Sequence, residues 1–172
     1  MKMRKTVLRY GIYGLLTSAM LFLIAFLFLK ELDYGLQEVL GYLSMFIALS
    51  FIFFGIKHYR DQENNGAVSF GKALLIGLLI AVLTGIGVAI VDYIYTTVIN
   101  PDFASEYLTK SLETMKASMP IEEFERQKAL LEQQMKDFGG SGFMAFIMFV
   151  TVVVIGFIIS LISAFILQRK PK

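Results

Sequence analysis

Apolar residues fall into four long blocks separated by polar stretches: Tyr10–Leu29, Val39–Ile56, Ala73–Ile99 and Phe143–Leu167. Only Ala73–Ile99 contains a charged side chain, Asp92. A helix rises about 1.5 Å per residue, so about 20 apolar residues cross a hydrocarbon layer about 30 Å thick. Every block meets that length. Hydrocarbon offers no partner to backbone N–H and C=O groups, so a spanning segment satisfies them internally as a helix. The pattern predicts an all-α membrane protein with four transmembrane helices, forming a single membrane domain over residues 1–172.

The polar stretches differ in kind. Lys30–Glu38 is short enough for a tight turn between the first two spans. The 57–72 stretch contains Asn64-Asn65-Gly66, a strong turn signal. The 100–142 stretch is longer and periodic. After Asn100-Pro101, with Asn as a helix cap and Pro as the first helical residue, Phe103, Leu108, Leu112, Met115 and Met119 recur at helical spacing. Ser118-Met119-Pro120 breaks that helix. Ile121, Phe124, Leu131, Met135 and Phe138 then mark a second stripe, interrupted by Lys128. Glu106/Lys110, Glu122/Arg126 and Glu132/Lys136 stand four apart with the acid first, the favourable order. Gly139-Gly140-Ser141-Gly142 ends the second helix and makes a hinge before span four. The expectation is an extracytoplasmic helical hairpin over about 101–138, between helices three and four.

Charge assigns the sides. Lys2, Arg4, Lys5, Arg9, Lys57, Arg60, Lys72, Arg169, Lys170 and Lys172 face only Asp61 and Glu63 on one side. The other side holds Lys30 with Glu31, Asp33 and Glu38, and the acidic 100–142 stretch. Basic residues near span ends stay in the cytoplasm. Both termini and the 57–72 loop are therefore expected inside, in agreement with an even number of spans. Tyr10, Tyr13 and Tyr59 fall near the inner interface, and Tyr34, Tyr42, Tyr93 and Tyr95 near the outer one, as an aromatic belt would. A basic start followed by an apolar run resembles a signal peptide. This run is too long for one, however, and no Ala-x-Ala-like site follows Leu29, so it reads as a retained span.

Composition narrows the chemistry. With no cysteine, no disulfide, thiolate metal site or cysteine nucleophile is possible. His58 is the lone histidine, set among Lys57, Tyr59 and Arg60 at the inner edge, and no His-Glu-x-x-His is present. The topology puts His58 and most of the acids on opposite sides of the membrane, which disfavours a Ser/His/Asp set. Gly85-x-Gly87 lacks the strand–turn–helix context and third glycine of a nucleotide loop. No catalytic, metal or cofactor site is expected, and the chain reads as no enzyme. The basic residues are topology signals, with no nucleic-acid patch among them.

Three features remain as candidates. Gly77, Ala81, Gly85 and Ala89 form a small-xxx-small ladder on one face of span three, for packing within the bundle or for a homo-oligomer. Shorter versions run through Gly11, Gly14 and Ser18, through Ser44 and Ala48, and through Gly156, Ser160 and Ala164. Asp92 is either a structural residue near the outer interface, about 10 Å from the end of its span, or an ion or proton site. Lys57, Arg60, Asp61 and Lys72 form an inner-loop clamp, holding spans two and three together or contacting anionic lipid headgroups.

Two signatures flank the loop: Gly55-Ile56-Lys57-His58-Tyr59-Arg60-Asp61 after Gly41-Tyr42-Leu43-Ser44-Met45, and Ser69-Phe70-Gly71-Lys72-Ala73 before Gly77. Asn100-Pro101-Asp102-Phe103 follows. With these motifs the chain resembles, over nearly its whole length, the bacterial membrane family catalogued as domain of unknown function 4199. The resemblance implies a bacterial inner-membrane protein with this topology, and it carries no catalytic residues. The resulting expectation is a non-enzymatic scaffold or accessory subunit. Its partners are membrane lipids, a protein bound through the outer hairpin, and a second copy of itself. The alternative is a small oligomeric transporter or channel using Asp92.

Overall fold

A computed structural model describes residues 2–28, 32 and 34–170. The turn expected at Lys30–Glu38 and the tail residue Lys172 therefore fall partly or wholly outside the described residues. Six helices follow in order: α1 (Lys2–Phe28), α2 (Tyr34–His58), α3 (Phe70–Ile94), α4 (Phe103–Ser118), α5 (Ile121–Phe138) and α6 (Ser141–Leu167). α2 and α3 each end in a five-residue π-helical turn, Tyr59–Glu63 and Tyr95–Ile99. Four segments are long and apolar enough to cross a membrane: Lys2–Ala25, Val39–Glu63, Phe70–Ile99 and Ser141–Leu167. The protein is a helical, multi-pass membrane protein.

The first helix begins eight residues before the apolar block. No Gly or Pro separates Lys2 from Tyr10, and Lys and Arg can lie along a helix end while their charges reach water. At the other boundaries the breakers act with small changes. α4 starts at Phe103, after a turn in which the Phe103 N–H donates to the Asn100 carbonyl. Pro101 therefore precedes the helix, and Asn100 is not its cap; its amide donates to Glu106 at 2.8 Å. Ser141 and Gly142 are already helical, so only Gly139 and Gly140 separate α5 from α6.

The chain forms two compact units. The first comprises Met1–Val91 and Met148–Lys172. Its interior is built from Leu49, Ile52 and Ile56 of α2, Ile76, Ile80 and Val88 of α3 and Val152 of α6, none of them exposed. α3 is the central helix of this unit. A Cβ placed on Gly87 would lie 2.6 Å from the Leu15 carbonyl oxygen of α1, and one on Gly77 would lie 2.5 Å from Ser160 Oγ of α6. A Cβ on Gly55 of α2 would lie 2.5 Å from Ile80. Glycine costs about 1 kcal/mol in a helix interior. In lipid, close backbone approach is what draws apolar helices together, and the glycines supply it here.

Buried hydroxyls are satisfied locally. Thr84 donates to the Ile80 carbonyl at 3.0 Å and Ser160 to the Gly156 carbonyl at 2.6 Å. Ser18 also reaches across to the Thr84 carbonyl at 3.2 Å, tying α1 to α3. Donating to the carbonyl three or four residues back is the usual way for a hydroxyl to sit inside an apolar helix. Large side chains such as Phe46, Phe54, Ile158, Ile162 and Phe165 are exposed on the spans, the surface expected to meet lipid tails.

The second unit is Asp92–Ile147. α4 and α5 pack on one another, and only Phe124 among their residues is buried. Tyr95 is buried with its ring 5.7 Å from Phe103, and Phe138 stacks on Phe143 at 4.8 Å. Tyr59 is also buried. Two of the tyrosines expected in the interfacial belt therefore pack inward, each as the first residue of a π turn. Tyr13, Tyr42 and Tyr93 are exposed. The helical charge pairs differ as well: Arg126 approaches Glu123 at 3.8 Å, three residues away, rather than Glu122.

Candidate functional site

Two groups of charged side chains at or within the spans are candidate sites. The first lies at one end of the first unit. α2 runs into the π turn Tyr59–Glu63, and the chain then reverses through Asn65 (φ 53°) and Gly66 (φ 77°). Left-handed backbone of this kind suits Asn and Gly, so the Asn64-Asn65-Gly66 signal acts where the sequence places it. The Asn64 amide donates to the Ala67 carbonyl at 2.6 Å and the Gly66 N–H to the Arg60 carbonyl at 2.8 Å, closing the loop.

Both ends of the chain join this loop. Lys2 Nζ donates to the Glu63 carbonyl at 3.1 Å. Val68 and Arg169 form an isolated antiparallel bridge, with N–H to carbonyl distances of 3.0 and 2.8 Å. Arg60 donates to Asp61 from Nε (2.6 Å) and Nη2 (3.0 Å), and its Nη1 lies 3.4 Å from the Leu167 carbonyl at the end of α6. A C-terminal helix carbonyl has no partner within its own helix, so an arginine suits that place. Lys57 and Arg169 also act on the Asp61 carboxylate through space. Lys57 and Lys72 are exposed, and Lys72 joins neither Asp61 nor Glu63. The structure thus brings Arg60 and Asp61 together and links them to α6, a contact the sequence did not indicate. His58 is half-buried with its ring 5.5 Å from Tyr10.

The small-residue ladder of α3 faces α6 of the same chain. A Cβ at Gly77 would meet Ser160, one at Gly85 would lie 3.0 Å from the Phe149 ring, and one at Gly156 would run into Ala81. Ala89 is only half-buried, so the face changes character there.

The second group is Asp92 and its neighbours. Asp92 is 5 % exposed, and its Oδ2 is buried with no hydrogen-bond partner among the described residues. Thr96, one turn on and equally buried, donates from Oγ1 to the Asp92 carbonyl at 2.9 Å. Ser141 Oγ donates to the Thr96 carbonyl at 3.1 Å. The i,i+4 spacing of Thr96 from Asp92 puts both on the same helix face, a signal already present in the sequence. Among the described residues, no three of His, Cys, Asp or Glu come together as metal ligands would.

Four helices long and apolar enough to cross a membrane define an integral membrane protein. Residues 9–169 match the family described as "Protein of unknown function (DUF4199)", and the chain belongs to that family. No curated protein and no solved structure matches it.

Proposed function

We propose that this protein is a non-enzymatic scaffold or accessory subunit of a bacterial inner membrane. In this reading both termini and the 57–72 loop lie in the cytoplasm, and α4 and α5 form the outer hairpin that presents a docking surface. The observation that supports it is the exposure of large apolar side chains on a helix otherwise rich in charge: Ile121 (78 %) and, nine residues on and therefore on the opposite face, Leu130 (51 %). Large apolar side chains held in water on a polar helix favour a protein contact. Glu122, Glu123, Glu125 and Glu132 share this helix, so a partner with apolar and basic groups would fit. On the inner side, Lys57, Arg60 and Lys72 contact anionic lipid headgroups.

The test is purification from native membranes in mild detergent, with mass spectrometry of co-eluting proteins. The full chain, a Pro101–Phe138 deletion and the double variant Ile121→Asp/Leu130→Asp are compared. A partner captured by the full chain and lost in both variants is the expected result. Equal capture by the double variant would remove the docking surface.

A further inference from the structure

We infer that Asp92 and Thr96 form a binding site for a monovalent hard cation of the sodium class. Every other buried side-chain oxygen or nitrogen among the described residues has a hydrogen-bond partner; Asp92 Oδ2 does not. A carboxylate oxygen withdrawn from water without a partner is costly, and a basic side chain, a bound cation or a proton can relieve that cost. No basic side chain forms an ion pair with Asp92 among the described residues.

The surroundings favour a cation. Asp92 and Thr96 lie one turn apart on the same face of the helix, and both are buried. The Thr96 hydroxyl donates its hydrogen bond to the Asp92 carbonyl, so its oxygen lone pairs remain free to act as hard ligands. A π turn begins at Tyr95, a departure from α geometry that often accompanies functional sites, and Ser141 anchors it through the Thr96 carbonyl. One carboxylate supplies one negative charge. A calcium ion takes six to eight oxygens and commonly several carboxylates, and no such acidic group gathers here.

The depth also suits exchange with water. The segment Phe70–Ile99 has 30 residues, about 45 Å of helix, and exceeds a hydrocarbon layer of about 30 Å. Asp92 lies about 10 Å from its Ile99 end. A cation reaches it from that side without crossing the membrane.

The test uses the full chain in detergent. Thermal melting is followed as sodium chloride replaces choline chloride at constant ionic strength, and equilibrium binding of radiolabelled sodium is measured in parallel. At ten times the half-saturating concentration, sodium should raise the melting temperature by about 3–6 °C. Asp92→Asn should abolish both the shift and the binding. Thr96→Val, which keeps the shape and loses the oxygen, should raise the half-saturating concentration at least fivefold. If Asp92→Asn does not fold, Thr96→Val and direct binding to the unaltered chain still decide. Melting that ignores sodium, with no sodium bound, means a proton alone occupies the carboxyl and overturns the site. So does an unchanged half-saturation in Thr96→Val.

Discussion

A single added methyl group should separate the glycines of α3 by what they touch. At Gly87 a Cβ would press on the backbone of Leu15, 2.6 Å from its carbonyl oxygen and 3.0 Å from its Cα, and backbone has nowhere to move. At Gly85 the nearest atom is the edge of the Phe149 ring, 3.0 Å away, which can tilt. Gly71, in the first turn of the same helix, has nothing within 4 Å. Overpacking of this kind costs about 1–3 kcal/mol. Gly87→Ala is therefore expected to lower the melting temperature in detergent most, Gly85→Ala less, and Gly71→Ala not at all. Equal melting of the three variants would show that α1 and α3 do not approach as closely as described.

Among the connecting elements, the 57–72 loop ties the spans together at one end. Its strongest link is not the ion pair between neighbours. Arg60 and Asp61 are adjacent in sequence and partly exposed, with side chains 18 % and 33 % exposed, and a pair of that kind contributes less than about 1 kcal/mol. The cross-chain contacts hold more: Arg60 to the Leu167 carbonyl, and the Val68–Arg169 bridge. Arg60→Ala should lower melting by about 2–4 °C, the loss of about one net hydrogen bond, and Asp61→Ala by less. Truncation after Leu167 should cost more than either, because two backbone hydrogen bonds go at once. Wild-type melting for all three variants in anionic lipid would defeat the clamp.

Over the whole molecule, the first unit places Lys2, the 57–72 loop and Arg169 together at one end. The absence of native cysteine permits a clean test of which side that end faces. Single cysteines at Asn65 and Gln168 should be shielded from a membrane-impermeant maleimide in intact cells, and one at Lys116 should label. Labelling of Asn65 and Gln168 with Lys116 shielded would invert the proposed orientation. A split result between Asn65 and Gln168 would contradict the contact between the loop and the tail.

The apolar blocks, the turn at Asn65-Gly66 and the breaks at Met119-Pro120 and Gly139-Gly140 were legible in the amino-acid sequence. Each depends on local properties: run length against bilayer thickness, or the backbone freedom of a few residues. Membership of the family was legible for the same reason, since its signatures are short and contiguous. Other features required the tertiary structure. The ladder of α3 faces α6, Tyr59 and Tyr95 turn inward, and Arg60 reaches the end of α6. For the ladder and for Arg60 the partner lies far away in sequence, and periodicity cannot say which of several apolar faces will meet. Asp92 was visible as the one charge within the four apolar blocks. That its oxygen lies buried without a partner, beside a buried Thr96 hydroxyl, depends on how the surrounding chain excludes water, and only the folded arrangement decides that.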